Sequence, residues 1–551
     1  MLRKRVGPCL FVLLLVAAGS TVAHAAELAP RHGGTPTGQH SPAVEAQIEE
    51  RMQEAIELLF GSRLPEAARV AQDLAQLAPR DPRVHLLEAR ILRESFPDQS
   101  TSEANRQAEA APIHAELEIA IHLADSLIEV DEANVGAHVY RGWACLFRAQ
   151  MHSLCNEYWQ AGRTAKSGKN TLDRALQLDP ENADAKGILG TYLYFADVLP
   201  RVVKILRTIV RVPGGDRERG IALLRESAAG GGYNRLDARA LIGVIQFAFE
   251  GDYDAGATAF ESLLVDYPES PRFMEPLAAM DLVRPRPGMI ERVSAVAEKH
   301  ATSPADWYRE LSLRLTFYQA LSEAMQGRAD EARSRLRAIA AARPTKPDWF
   351  PGDVLLCLTE MDLLAGDRQR AAALYSSVAA QPRLEERLRF VRQPDAAATP
   401  DEAQVYRSAQ DAARALYAGD LDGAHRQLAS LGTADDPAVH YYRGELSRLE
   451  GDYAHAAQDY ERVTERSWPQ RWRLYKVLAY SRLAEIRAAQ GDPRDAASTL
   501  DRALVYDEDR DLLRHLIRAR RRHFELAAES GSGRASPPAG ASTTTTDGDS
   551  R

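Results

Sequence analysis

Between residues 43 and 528 the apolar side chains recur at i, i+3, i+4 and i+7, and almost no stretch alternates with a period of two. That spacing lays the apolar residues along one stripe of an α-helix, so the body of the chain is expected to be all-α. The flanks lack the pattern. Residues 26–42 and 529–551 are polar and rich in Gly, Pro, Ser or Thr, and they bury too little apolar surface to order themselves.

The predicted helices come in pairs with a shared punctuation. In EGDYDAGATAFESLLVDYP (250–268) a turn holds Gly251, and Tyr253, small Gly256, aromatic Phe260 and closing Pro268 follow. EGDYAHAAQDYERV (450–463) repeats this with Gly451, Tyr453, Ala456 and Tyr460. Related segments place glycines at 327, 366, 419 and 491, and the last three turn glycines (419, 451, 491) lie 32 and 40 residues apart. A small residue at the helix crossing lets two backbones approach, an aromatic fills the gap beside it, and proline ends the second helix.

This pattern resembles the tetratricopeptide repeat, a helical hairpin of about 34 residues. The resemblance covers most of Ala43 to Tyr506, with irregular spacing at 84–165, 198–215 and 272–310. It implies a helical-hairpin solenoid at 43–528, and proline-rich joints at 284–288, 343–352 and 392–400 favour one continuous, kinked superhelix. It also implies a concave groove lined by the first helix of each pair. On that basis Trp143, Tyr194, Tyr441, Glu445, Arg448, Ser481 and Glu485 are expected to contact a protein or peptide partner. The Lys and Asn pattern by which some such domains clamp a C-terminal carboxylate is missing.

One stretch breaks the rhythm. VLPRVVKILRTIVRVPGG (198–215) is an apolar run with Arg201, Lys204, Arg207 and Arg211 on its polar side. It is expected to dock onto the repeats as a spacer that widens one groove; the alternative is contact with an anionic membrane surface. Together with GDRERGIALLRESA and YNRLDARALIG it resembles a segment of the Iml2-like tetratricopeptide family, over about seventy residues. That likeness supports docking and transfers no function.

The first 25 residues set the expected compartment. A basic start (Arg3, Lys4, Arg5), a short apolar core and a small-x-small site at Ala23–Ala25 form a signal peptide, pointing to export into a bacterial periplasm. Its removal leaves 66 Lys and Arg against 78 Asp and Glu, a net charge of −12. That charge argues against a general nucleic-acid binder. Three cysteines would remain, too few for a disulfide framework.

Motifs for chemistry are sparse. The chain has no GxSxG, HExxH, phosphate-cradling loop or CxxC pair. His138, Cys145, His152 and Cys155 lie near one helical stripe, but that stripe also carries the core run VYRGWACLF. The sequence therefore assigns no metal ligand, no cofactor and no catalytic residue. The expected function is that of an exported, non-enzymatic scaffold. The competing readings are a peripheral membrane protein using 198–215, or a small-ligand binder or enzyme with a pocket beside that insert. The basic helix at 510–529 is expected to cap the array.

Overall fold

The computed structural model describes residues 40–94, 96, 103–198, 214–283, 286, 288–303, 306–344, 350–378, 385, 387–506 and 511–529. The leader, most of the first linker, the C-terminal tail and the centre of the insert, with Arg201, Lys204, Arg207 and Arg211, lie outside them. Among the described residues the chain is all-helical, and no helix is long and apolar enough to cross a membrane.

The helices run α1 Pro42–Phe60, α2 Leu64–Leu77, α3 Pro82–Glu94, α4 Glu103–Val130, α5 Val135–Leu154, α6 Tyr158–Leu178, α7 Ala183–Val198, α8 Arg217–Ala229 and α9 Arg235–Val244. A π-turn at Ile245–Glu250 carries α9 on toward Gly251. There follow α10 Tyr253–Asp266, α11 Pro271–Val283, α12 Met289–His300, α13 Asp306–Met325, α14 Ala329–Ala342, α15 Phe350–Leu364 and α16 Arg368–Ser377. The last seven are α17 Pro400–Tyr417, α18 Leu421–Ser430, α19 Pro437–Leu449, α20 Tyr453–Glu465, α21 Arg473–Ala489, α22 Pro493–Tyr506 and α23 Asp511–Glu529.

The chain groups into two compact units. One comprises Met1–Gln246, Asp254–Met274 and Glu298–Ser312; the other comprises Phe247–Tyr253, Glu275–Ala297 and Leu313–Arg551. Within each, helices pack chiefly against their chain neighbours, as α1 on α2, α5 on α6, α19 on α20 and α21 on α22.

The Gly-Asp pairs explain how each hairpin turns. Gly366, Gly419, Gly451 and Gly491 have φ between 80° and 90°, a left-handed conformation that side chains with a Cβ adopt at a cost. The amide of the following Asp then reaches back to close the finished helix, as Asp452 N donates to the Ser447 carbonyl at 2.8 Å and Asp420 N to the Ala415 carbonyl at 2.9 Å. The same Asp opens the next helix. The Asp420 carboxylate accepts from Gly423 N at 2.8 Å, and Asp452 from His455 N at 3.1 Å. Two residues thus end one helix and start another.

The small-on-aromatic crossings are equally direct. A Cβ on Gly444 would lie 2.7 Å from the ring of Tyr460, and one on Gly243 would lie 3.1 Å from that of Phe260. In both hairpins the repeat aromatic rests on a glycine of the preceding helix.

The two helices that flank the insert in the chain cross closely. Gly190 and Gly220 place α7 and α8 backbone to backbone, and a Cβ on Gly220 would come within 2.7 Å of the Tyr194 nitrogen. Asp216 N donates to the Leu193 carbonyl at 3.0 Å, so the chain re-enters right at the end of α7. α7 and α8 meet directly, and the insert expected to act as a spacer lies outside the described residues.

Candidate functional site

The residues expected to line a groove are held mainly by contacts within their own unit. In the second unit Glu445 is completely buried in α19 and accepts from four residues, the Tyr417 hydroxyl at 3.3 Å among them. Arg482 Nε donates at 2.6 Å, Arg448 at 2.9 Å and the Tyr460 hydroxyl at 2.6 Å. Burial alone would raise the Glu445 pKa; Arg448 and Arg482 outweigh it and hold the carboxyl at about 2. Tyr441, 1 % exposed, packs edge-on against Tyr442 and Tyr475 with ring centroids 5.4 and 5.6 Å away. Beyond this cluster, Ser481 turns its hydroxyl back to the Val477 carbonyl at 3.2 Å. Glu485 takes a bidentate pair from Arg520 at 2.5 and 2.6 Å, which fastens α23 to α21.

In the first unit Tyr194 is fully buried beside the α7–α8 crossing, and Trp143 is half-buried between two core clusters. Of the residues expected to contact a partner, Tyr194, Tyr441 and Glu445 are thus buried between helices. A side chain sealed between helices shapes a surface without touching what binds there. Their spacing on one helical face was legible; that the face points inward depends on which helix packs over it.

The first unit also holds a cavity that sequence reasoning missed. About 660 Å³ in volume, it opens over the α1–α2 hairpin, with Leu58, Val70 and Tyr267 as its apolar part. Glu54, Glu57, Glu66 and Asp73 line it against Arg63 and Arg69, so it carries an acidic excess. Glu54 and Glu57 are one helical turn apart on α1, which was the available signal.

The His/Cys stripe of α5 comes apart in three dimensions. His138 Nε2 pairs with the Glu132 carbonyl at 2.9 Å, and Cys145 and Cys155 are buried thiols. His152 instead meets His114 of α4, with ring centroids 4.4 Å apart, and its Nδ1 lies 2.5 Å from Glu157. A second group joins His85 and Glu88 of α3 to Glu116 of α4. His85 Nδ1 lies 2.7 Å from Glu116 and Nε2 lies 3.1 Å from the Pro79 carbonyl. In each group the candidate donor atoms fall within 4.8 Å of one another.

Paired helices, a left-handed glycine at the turns and aromatic-on-glycine crossings define a helical-hairpin repeat protein. Residues 237–270, spanning α9 and α10, match the tetratricopeptide repeat family, so the chain carries at least one such repeat. No curated protein matches it. Similar solved structures include the tetratricopeptide repeat domain of P58(IPK), 15 % identical over 69 % of this chain and 98 % of that one, with a TM-score of 0.19. Another is a chain of the APC/C hetero-tetramer Cut9–Hcn1, 12 % identical over 86 % and 96 %, with a TM-score of 0.20.

Proposed function

We propose that this protein is an exported, non-enzymatic scaffold that holds a protein or peptide partner. A tetratricopeptide fold supports protein interaction in general. The observation that carries the finer reading is the cavity over α1 and α2, whose apolar part and acidic rim suit a partner segment with an apolar anchor flanked by Lys or Arg. Because the walls are chiefly the helices of one hairpin, the site is formed before the partner arrives and little ordering cost opposes binding.

The test is affinity capture from envelope extract with the purified protein and with Leu58→Arg and Glu57→Lys variants. Both positions lie on the cavity wall. A defined protein held by the native chain and lost from the variants supports the reading. Equal capture by all three, or none by any, overturns it. Export is tested separately by fractionation and by the mass of the mature chain, which begins at Ala26 if the leader is removed where its small residues indicate.

A further inference from the structure

We propose that His114, His152 and Glu157 form a binding site for a divalent metal ion of the zinc class. The three residues come from α4, α5 and the turn after α5, so only the packed hairpin brings them together. Two imidazoles and one carboxylate are a donor set that zinc accepts in tetrahedral geometry, with the fourth position left for water or a further ligand.

Three observations favour an ion over a simple polar contact. The Nδ1 atom of His114 is buried and has no hydrogen-bond partner among the described residues, a costly state unless something satisfies it. His152 and Glu157 are already oriented by their own contact at 2.5 Å. Gln107 Nε2 donates to the other oxygen of Glu157 at 3.4 Å, a supporting contact of the kind that steadies metal ligands. Donor atoms within 4.8 Å of one another need shifts of under ~1 Å each to reach zinc bond lengths of about 2.0–2.1 Å.

The neighbouring His85, Glu88 and Glu116 group lacks the first of these features. Both ring nitrogens of His85 have partners, in Glu116 and the Pro79 carbonyl, so nothing there waits for an ion. One feature opposes binding at the proposed site. Arg148, on α5 one turn before His152, is a like charge near His114, although its guanidinium also pairs with Glu118 at 3.3 Å. An ion bound here would pin α4 to α5 across a hairpin whose described residues form no disulfide.

The experiment is calorimetric titration of chelator-treated, purified protein with zinc chloride, and with magnesium chloride as a control that disfavours imidazole. One equivalent of zinc is expected, with a rise in melting temperature. His114→Ala and Glu157→Gln should each weaken zinc by about 100-fold, and Gln107→Ala by about tenfold. His85→Ala and Cys155→Ser should leave it unchanged, and Arg148→Gln should tighten it. Glu157→Gln preserves shape, so its loss of binding cannot be blamed on misfolding, and helical content by circular dichroism checks each variant. Absence of zinc binding overturns the proposal. So does binding abolished by His85→Ala but retained in His114→Ala, which would move the ion to the other cluster.

Discussion

Arg482 on α21 donates through Nε to Glu445 on α19 at 2.6 Å, and both side chains are buried. The contact joins two successive first helices of the array, and Arg448, Tyr460 and Tyr417 close the remaining sides of the carboxylate. Glu445→Ala would leave two guanidinium groups facing each other without their counter-ion. We expect a loss of about 3–5 kcal/mol in the second unit, read as a lower urea midpoint. A loss under about 1 kcal/mol would show that water replaces the carboxylate there.

The same carboxylate sets an acid limit. Its folded pKa, held at about 2, lies below its unfolded value, so its contribution is fully present above the unfolded pKa and is lost as pH falls through the folded one. The window therefore runs from about pH 4.3 down to about pH 2, and the linked stability is about 3 kcal/mol. Urea midpoints of the native chain and Glu445→Gln, measured across that window, should converge toward its acid end. Parallel curves would assign the acid sensitivity to other groups.

The turn glycines differ in a way that mutation can read. Gly451 has φ of 82° and open space, with nothing within 4 Å of where a Cβ would sit, so Gly451→Ala should cost only the backbone penalty of about 1–2 kcal/mol. Gly327 has a similar φ of 84°, but a Cβ there would lie 2.1 Å from the Gln410 carbonyl. Gly327→Ala should cost clearly more, because α17 has to shift to admit it. Thermal melts of the two variants make the comparison, and equal shifts would contradict it.

Direct packing of α7 on α8 predicts that the insert can be exchanged without unfolding the hairpin. Replacing residues 199–213 by a Gly/Ser linker of equal length should leave helical content unchanged, since both ends already meet at Leu193 and Asp216. Gly220→Ala, in contrast, should destabilise by about 1–3 kcal/mol through its contact with the Tyr194 backbone. Sedimentation with anionic vesicles, using the native and linker-replaced chains, tests the membrane alternative: binding that depends on 199–213 supports it.

Local events were legible along the chain. Period 3.6 makes helices, and Gly-Asp both stops one helix and caps the next, with the closing bond from Asp452 back to Ser447 spanning a single turn. A small residue paired with a later aromatic announces the crossing that Gly444 and Tyr460 make. All of these act over short separations, so they can be read in order. Packing in three dimensions was needed to settle which side of each helix faces in and which distant groups meet. Tyr441 and Glu445 were recognisable as one face of α19, yet only Arg482, 37 residues on, shows that face to be interior. His152 was visible as a candidate ligand with the wrong companions, because its neighbour His114 belongs to another helix. Helical periodicity gives the angle of a side chain about its own axis; the partner across the interface follows from packing, which the pattern along one helix does not encode.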